Sequence, residues 1–324
     1  MQSPRDKTIQ EKKQFAITGV GGFVAPRHLR AIKECGAEVV CALDIHDSVG
    51  VLDSYFPQTH FFTEFEHFDR HIEKLRREKR GIDYLSICSP NYLHDAHIRL
   101  ALRNGADAIC EKPLVLSPWN LEALLELERE YERQIFTILQ LRLHPKIIAL
   151  KEKVQEEIKA NPSKIYQLDL SYITSRGQWY FISWKGDEHK SGGIASNIGI
   201  HFFDMLLWIF GPCDEAELHF SSPKTKAGFL KLKHAQVRWF LSVDAQTLPK
   251  EAEDRPTFRS LRIDEEEFEF SDGFTDLHTQ SYQAILNHQG FTAIEAQASI
   301  DLAYKIRTMQ VKNGDCLHPF LKKQ

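Results

Sequence analysis

Cysteine is scarce in this sequence and is never closely paired. Six cysteines are spread over 324 residues, and no two of them form a C-x-x-C motif. This pattern argues against a disulfide-stapled secreted domain and against a cysteine-based metal site. Cys41, Cys88 and Cys110 fall in apolar runs that we predict to be buried strands, where free cysteine behaves as a small hydrophobic residue. We therefore expect a reducing, cytoplasmic environment and no bound metal.

A strong net charge and long apolar segments are also missing. The formal net charge is −4, so we expect neither nucleic acid nor an acidic membrane surface as a partner. No apolar run approaches the roughly 20 residues needed to cross a bilayer. The polar segment MQSPRDKTIQEKKQ lacks the apolar core of a secretory signal, and we expect it to be a frayed lead-in. His67 and His71 share a predicted helix face without a third ligand, which favours a solvated face over a zinc site.

The sequence does contain an alternation of short apolar runs and longer amphipathic runs up to residue 142. The predicted strands lie at 15–18, 39–43, 84–88, 107–110 and 135–141, and the predicted helices at 26–34, 67–79, 94–104 and 119–131. Strand–helix repetition with short connections predicts an α/β fold with a doubly wound parallel sheet of the Rossmann type. We predict that this domain spans residues 1–142.

After residue 142 the pattern changes. A predicted helix is followed by closely spaced strand-like runs at 165–172, 215–222, 228–233, 236–243 and 258–263. Hairpin-length links between strands favour a large open, mostly antiparallel sheet. We predict that 143–324 form an α+β domain that binds substrate, and that its open sheet supports a homodimer or homotetramer.

A glycine-rich turn follows the first predicted strand. Gly19, Gly21 and Gly22, with Phe23 and Val24, stand between that strand and a helix. Glycine there lets the backbone approach a pyrophosphate, whose charge is favoured by the helix N-terminus. The match to G-x-G-x-x-G is imperfect, and a tight turn without a ligand is the alternative.

Polar residues also follow the next strands. Asp44 ends the second strand at a distance suited to an adenosine ribose, and its carboxylate disfavours a 2′-phosphate, which predicts NAD as the cofactor. A surface turn residue is the alternative for Asp44. Ser89, Asn91 and His94 begin where a later strand ends, so we expect them near the cofactor, although Asn91 could instead cap the following helix.

Lys112 follows a buried strand in the tripeptide Glu111-Lys112-Pro113. Its amine would enter the crevice where an open α/β sheet holds its ligand. Removing a hydride from an alcohol also requires a base for the hydroxyl proton, and a lysine with a lowered pKa can serve. We expect Glu111 and Lys112 beside the cofactor and Lys112 beside the substrate. The alternative is a surface lysine paired with Glu111.

A second block, GGIASNIGIHFFD, carries Asn197, His201 and Asp204. If this segment is helical, the three residues share one polar face. A histidine beside a lysine can act as its acid–base partner, which predicts His201 as catalytic and Asn197 as substrate-binding. A satisfied structural histidine is the alternative.

Cations and tryptophans lie between the two blocks. Aromatic faces stack on rings, and cations hold phosphate or carboxylate, so this segment suits a flat ligand with negative charge. A subunit-contact surface is the alternative. The predicted substrate-binding residues here are Arg142, Arg176, Trp179, Trp184, Lys185 and Lys190.

The segments GVGGFVA, SPNYLH, EKP and GGIASNIGIHFFD together resemble the family of glucose–fructose oxidoreductase, inositol dehydrogenase and MocA (Gfo/Idh/MocA). The resemblance implies a Rossmann domain that binds NAD(P), a second domain that supplies substrate contacts and oligomer surface, and Lys112 with His201 as the catalytic pair. Asn197 departs from the aspartate that many members carry, which favours hydrogen-bond positioning of a sugar over a charged Asp–His pair.

The segments ALDIHDSVGVLDSYFP, LQLRLHP and SWKGDEHKSGG are similar to UDP-N-acetylglucosaminuronate 3-dehydrogenases of bacterial lipopolysaccharide O-antigen assembly. That similarity implies oxidation of the sugar 3′-hydroxyl by NAD and a ketone product for an aminotransferase. Whether NAD exchanges or is recycled in place by a 2-oxo acid stays open. Two alternatives also stay open: a dehydrogenase of a free polyol, and a dinucleotide-sensing regulator, against which Lys112 and His201 both argue.

Overall fold

A computed structural model of the chain describes residues 12–252, 256–270 and 273–321. Most of the polar lead-in expected at the N-terminus lies outside these residues. The described part contains two six-stranded sheets, one before residue 142 and one after it. This arrangement confirms the predicted fold class, a Rossmann sheet followed by an α+β domain whose sheet is mostly antiparallel.

The first sheet is parallel throughout the described strands. These are β1 (Gln14–Thr18), β2 (Glu38–Leu43), β3 (His60–Phe62), β4 (Tyr84–Ile87), β5 (Asp107–Cys110) and β6 (Ile135–Thr137). Their order is β3-β2-β1-β4-β5-β6. The order reverses between β1 and β4, which opens a crevice beyond the carboxyl ends of these strands. The glycine turn and the loop of Ser89 therefore meet at this crevice.

Helices cover both faces of the first sheet. They are α1 (Ala25–Glu34), α2 (Val51–Tyr55), α3 (Phe65–Arg77), α4 (His94–Arg103) and α5 (Pro118–Tyr131). Each places its apolar stripe on the sheet: in α1, Leu29 and Ile32 are fully buried, whereas Arg30 and Lys33 are exposed. The main boundary difference from the sequence prediction is β6, which ends at Thr137 and not at residue 141. Most of the residues that follow Thr137 are apolar and buried, and a run of apolar residues indicates burial rather than hydrogen bonding between strands.

The second sheet follows α6 (Pro145–Ala160). Its strands are β7 (Tyr166–Thr174), β8 (Cys213–Ser221), β9 (Thr225–Leu232), β10 (Ala235–Ser242), β11 (Thr257–Ile263) and β12 (Glu266–Glu267). Their order is β12-β11-β7-β10-β9-β8, and of the described pairs only β7 with β10 is parallel. One face packs on α9 (Ile200–Phe210), where the Phe203 ring lies edge-on 5.5 Å from the ring of Trp239.

The segment that carries the predicted cations and tryptophans between the two blocks contains short helical turns. These are α7 (Gln178–Ile182), a 3-10 turn (Trp184–Gly186) and α8 (Glu188–Ser191). The side chains of Ser183 and Asp187 begin the last two by accepting the backbone N–H of Lys185 and His189. Turns this brief show no detectable periodicity, so the sequence could not predict them.

The last helices are α10 (Leu277–Leu286) and α11 (Gln297–Thr308). α10 returns to the first domain, where the buried Tyr282 hydroxyl lies 2.8 Å from His28 Nδ1 and 2.6 Å from Ser86 Oγ. The division at residue 142 thus separates the two sheets, while α10 contributes to the core around α1.

The helical stretch Glu188–Phe210 is long and apolar enough, by length and composition alone, to cross a membrane. Of its most apolar window, 72% is buried inside the protein. Phe203, Met205 and Leu206 are among the fully buried residues. The stretch is therefore packed as a core helix of the second domain.

Arg142 joins the end of the first domain to the second. Its guanidinium donates to both carboxylate oxygens of Asp204 on α9, at 2.9 and 2.8 Å, and to the Glu295 carboxylate at 3.2 Å. Burial raises the pKa of Asp204, and the hydrogen bonds from Arg142 oppose that rise. The sequence predicted Arg142 as a substrate-binding cation, but the structure buries it and engages it in this interdomain ion pair.

We expect Arg142→Met to lower the free energy of unfolding by about 3–5 kcal/mol, because it leaves the Asp204 carboxylate buried without its partner. Urea unfolding measures this change. The matched control is Arg77→Met on the exposed face of α3, with an expected change within about 0.5 kcal/mol. Wild-type stability combined with a raised KM for the substrate would instead support the sequence prediction for Arg142.

Candidate active site

The glycine turn after β1 has no room for a side chain where its backbone lies closest to the loop after β4. Gly19 has a φ of +75°, and a Cβ atom there would lie 2.6 Å from the backbone carbon of Cys88. The N–H of Gly21 donates to Asp44 Oδ2 at 2.8 Å. The N–H of Gly22 donates back to the carbonyl of Gly19 at 3.0 Å. The predicted turn and the predicted carboxylate therefore meet in one place, as in a dinucleotide fingerprint.

The backbone amides of Phe23 and Val24 precede α1 and donate to no atom of the residues that the structure describes. Unpaired amides at a helix N-terminus attract phosphate. The Phe23 ring is 89% exposed and leaves this approach open. These donors fit the pyrophosphate of NAD, and the Asp44 carboxylate fits its adenosine ribose.

The loop after β4 is fastened to the turn that carries Lys112. The ring nitrogens of His94 lie 2.8 Å from the carbonyl oxygen of Pro113 and 2.9 Å from that of Ser89. The hydroxyl of Ser89 lies 2.9 Å from Nδ1 of the buried His97. The side chains of Ser89 and His94, which the sequence placed beside the cofactor, are thus engaged in holding this loop. The Lys112–Pro113 peptide bond is cis.

Lys112 reaches across to the second domain. Its Nζ donates to the carbonyl oxygen of Asn197 at 3.2 Å, on the π-helical turn Ala195–Gly199 that precedes α9. The Asn197 amide in turn donates to the Tyr180 hydroxyl at 2.9 Å. Asn91 donates to Asn197 Oδ1 at 3.4 Å and does not cap the helix after it. The predicted Lys112 and Asn197 are therefore brought into direct contact.

Burial is the main cause that lowers the pKa of Lys112. The carboxylate of Glu111 opposes the shift, whereas Arg176 and Lys185 add to it. A lowered pKa raises the share of neutral amine at moderate pH, which is the form that accepts a proton. The alternative of a surface lysine paired with Glu111 does not describe this residue.

Glu111 belongs to a buried cluster that the sequence did not reveal. Its Oε1 lies 2.9 Å from His28 Nε2 and 3.1 Å from His278 Nε2. Burial alone would raise the pKa of Glu111, but hydrogen bonds from both histidines hold it well below its usual value. The three groups could hold a metal, since their ligand atoms lie within 4.8 Å of one another. The carboxylate was predicted to meet the cofactor, and these bonds instead hold it between α1 and α10.

His201 lies in the first turn of α9 and lines one narrow cavity together with Lys112. Burial, and then the Lys112 ammonium, lower the pKa of His201 well below its usual value. None of the described residues hydrogen-bonds to its ring, so the ring is available to a substrate. Asp204 was predicted on the same face but bonds to Arg142 instead.

The predicted cations separate into two groups. Arg176 and Lys185 are near enough to Lys112 to lower its pKa. The Nζ of Lys185 lies 4.4 Å from the ring centroid of Trp184 and 5.8 Å from that of Trp179. These side chains form a cationic and aromatic surface beside Lys112.

Lys190 lies on α8, after the turn that carries Lys185. Its Nζ is 3.8 Å from the Asp187 carboxylate and 5.7 Å from the ring centroid of Tyr92. Tyr92 also lines an open cleft beside the start of α5. Of the predicted substrate cations, Lys190 is therefore grouped with this cleft rather than with Lys112.

Two parts of one family match the chain in order. The Gfo/Idh/MocA oxidoreductase family, NAD-binding Rossmann fold, matches residues 13–138, and its C-terminal alpha/beta domain matches residues 163–239. The chain belongs to the Gfo/Idh/MocA oxidoreductase family. The glycine turn, Asp44 and Lys112 all lie in the first match, and His201 lies in the second.

The WlbA (WbpB) dehydrogenase from Thermus thermophilus is similar over nearly the whole chain. Its structure with NAD and alpha-ketoglutarate is 48% identical, with a TM-score of 0.91, and the match covers 95% of this chain and 99% of that one. Its structure with NAD and UDP-GlcNAcA is 47% identical, with a TM-score of 0.90 and the same shares of 95% and 99%.

The curated relatives are matched over shorter stretches. The putative oxidoreductase YteT from Bacillus subtilis is 27% identical over 158 residues, which are 48% of this chain and 36% of YteT. The match thus spans about a third of the length of that relative.

Three residues of this Gfo/Idh/MocA member were not predicted from its sequence: Tyr180, His28 and His278. Tyr180 lay in a segment without periodicity. His28 sits within a helix pattern, and His278 is 250 positions later in the numbering, so only the packing of α10 on α1 brings the two together. A buried histidine on an otherwise apolar helix face was the available signal.

We expect Asp44→Ala to raise the Kd for NAD about 10- to 100-fold, because hydrogen bonds to a charged group contribute about 1.5–3 kcal/mol. Discrimination against NADP should fall in the same variant. Calorimetric titration with each dinucleotide measures both effects. Asp53→Ala, exposed on α2, is the matched control. An unchanged Kd for NAD would contradict the role given to Asp44.

Proposed function

We propose that this chain oxidises the 3′-hydroxyl of UDP-2-acetamido-2-deoxy-D-glucuronic acid (UDP-GlcNAcA) to the 3-keto sugar, with NAD as hydride acceptor. The observation that carries the proposal is the pair Lys112 and His201 in one cavity, at the crevice whose turn fits a dinucleotide. A dinucleotide-sensing regulator would need no acid–base pair, so this observation favours an enzyme.

The residues of the chain handle the proton in this reaction. When bound, NAD takes the hydride, with both electrons of the broken C–H bond. The electrons of the O–H bond form the carbonyl, and the neutral amine of Lys112 accepts the released proton. His201 is neutral because its pKa is well below its usual value, and it bonds the same oxygen. The carbonyl of Asn197 fixes the Lys112 amine during the step.

The substrate is proposed from a relative and from this chain's own charges. The T. thermophilus dehydrogenase, 47% identical over 99% of its length, was crystallised with UDP-GlcNAcA. Arg176 and Lys185 suit a diphosphate, and the ring of Trp179 suits a base or sugar. A free polyol would not need such cations, so the cations favour UDP-GlcNAcA. A dehydrogenase of free polyols is therefore the second candidate. The keto product is chemically suited to an aminotransferase, which fits O-antigen sugar assembly.

A 2-oxo acid is proposed as the oxidant that restores NAD in place. The T. thermophilus structure with alpha-ketoglutarate motivates this step. Reduction of the 2-oxo acid to a 2-hydroxy acid would take the hydride from NADH at the keto carbon, and Lys112 would return its proton to the keto oxygen. The same residue therefore serves both half-reactions with opposite proton direction.

We also propose that the protein is a cytoplasmic homodimer or homotetramer. Within each chain, we propose that the first domain ends at residue 142. The outer strands of the second sheet, β12 and the part of β8 away from the Leu218–Val311 bridge, support subunit pairing, because unpaired strand edges are association sites. All six cysteines are free, in keeping with a reducing compartment.

We expect Lys112→Met to reduce turnover of UDP-GlcNAcA about 10²- to 10⁴-fold while the Kd for NAD stays unchanged, because only the base is lost. NADH absorbance with NAD and UDP-GlcNAcA, with and without 2-oxoglutarate, measures turnover. Lys153→Met, exposed on α6, is the matched control. Near-normal turnover in Lys112→Met would overturn the mechanism, and a silent wild-type enzyme that binds NAD would move the proposal to a free polyol.

We expect kcat/KM to rise with pH through the lowered pKa of Lys112, with a midpoint below 10.5, because only the neutral amine accepts a proton. In Lys185→Met, removal of a neighbouring cation should move that midpoint upward. Initial rates over a pH series measure both midpoints. A Lys185→Met midpoint equal to or below that of wild type would contradict this electrostatic account.

A further inference from the structure

Arg259 on β11 is a cation that aromatic rings hold in place. Its guanidinium carbon lies 4.3 Å from the ring centroid of Phe274, 5.4 Å from that of Phe270 and 5.5 Å from that of Tyr172. Tyr172 is its partner across the β7–β11 ladder. Aromatic faces orient a guanidinium but accept no conventional hydrogen bond. The rings therefore fix the direction of the Arg259 side chain, while none of the described residues is hydrogen-bonded to its N–H donors.

The charge of Arg259 has no anionic partner among the described residues. Its Nε is buried and has no hydrogen-bond acceptor there. Other arginines of the same sheet are satisfied: Arg238 pairs with Asp169 at 2.5 Å, and Arg262 donates to the Glu265 carbonyl at 2.8 Å. A half-buried guanidinium normally forms such bonds, so with respect to the described residues the donors of Arg259 are left for an anion.

Arg259 faces the catalytic side of the second sheet. Its ladder partner Tyr172 stacks against Phe202 of α9, with ring centroids 4.7 Å apart, and Phe202 is the next residue after His201. The charge of Arg259 contributes to the lowered pKa of His201. Arg176 and Lys185 act instead on Lys112. Positive charge is therefore near enough to act on each of the two groups, Lys112 and His201, that line the cavity.

We propose that Arg259 binds the substrate carboxylate, that of the sugar acid in oxidation and that of the 2-oxo acid in recycling. The proposal rests on the proposed function and adds a specificity-determining residue to it. Both substrates share a carboxylate, whereas only the sugar nucleotide carries a diphosphate for Arg176 and Lys185. A single cation beside His201 would let two different molecules place their reacting carbon in the same cavity.

The test compares Arg259→Gln and Arg259→Lys with the matched control Arg262→Gln. Arg262 lies on the same strand but is exposed. Calorimetry with the NAD-loaded enzyme measures the Kd of 2-oxoglutarate, and steady-state rates give KM and kcat for UDP-GlcNAcA and for the uncharged analogue UDP-N-acetylglucosamine. Thermal melting reports folding of each variant.

Arg259→Gln should raise the Kd of 2-oxoglutarate and the KM of UDP-GlcNAcA about tenfold or more, with less change for UDP-N-acetylglucosamine and none in the Kd for NAD. Arg259→Lys keeps the charge without the planar fork and should fall between Arg259→Gln and wild type. Arg262→Gln should match wild type. Equal losses for the charged and uncharged sugars, or wild-type binding of 2-oxoglutarate by Arg259→Gln, would overturn the assignment.

The two proposals fail in different ways. If the wild-type enzyme does not oxidise UDP-GlcNAcA, the proposed function fails, and 2-oxoglutarate binding still decides the role of Arg259. If the wild-type enzyme oxidises the sugar and Arg259→Gln behaves as Arg262→Gln does, only the assignment of Arg259 fails. If Arg259→Gln does not fold, Arg259→Lys supplies the comparison.

Discussion

The hydrogen bond from Lys112 Nζ to the carbonyl oxygen of Asn197 joins the two domains where the chemistry is proposed to occur. Lys112 follows β5 of the parallel sheet, and Asn197 lies on the π-helical turn before α9 in the second domain. Forming this contact buries the amine, and burial lowers its pKa. The same contact brings His201, four residues after Asn197, to the cavity that Lys112 lines. The proposed acid–base pair of Lys112 and His201 therefore forms only when the domains are packed together.

Behind Lys112, the carboxylate of Glu111 is held by His28 and His278. His28 belongs to α1, which begins at the glycine turn, and His278 belongs to α10 near the C-terminus. One buried negative charge thus connects the helix after the glycine turn, the strand that precedes the proposed catalytic lysine, and a helix of the later half of the chain. Because that charge opposes the lowering of the Lys112 pKa, its fixed position also limits how far the pKa falls.

The cations near the cavity differ in the anion that each is proposed to bind. Arg176 lies between β7 and α7, Lys185 lies on the 3-10 turn after α7, and both act on Lys112, whereas Arg259 lies on β11 and acts on His201. Arg142, also at the domain junction, is neutralised by Asp204 and serves packing. Whether a cation is paired decides between these roles: a paired arginine stabilises the fold, and an unpaired one beside the cavity is left for an anion.

The sequence by itself determined the strand–helix alternation and the change of topology near residue 142, and it predicted Gly19, Asp44, Lys112 and His201 as site residues. These follow from local spacing, because a glycine turn or a lysine after a buried strand has the same consequence wherever the strand lies in a sheet. Asn197 was found in the same way, from its position in a polar helix face.

Only the tertiary structure decided which charges are paired. The sequence predicted Arg142 as a substrate-binding cation and Asp204 on the polar face of His201, and packing joined the two to each other. No sequence pattern indicated the His28–Glu111–His278 cluster or the role of Arg259. Their contacts come from strands and helices far apart in the chain. Periodicity reports which side of an element is buried, but the partner of a buried charge depends on long-range contacts that no local pattern contains.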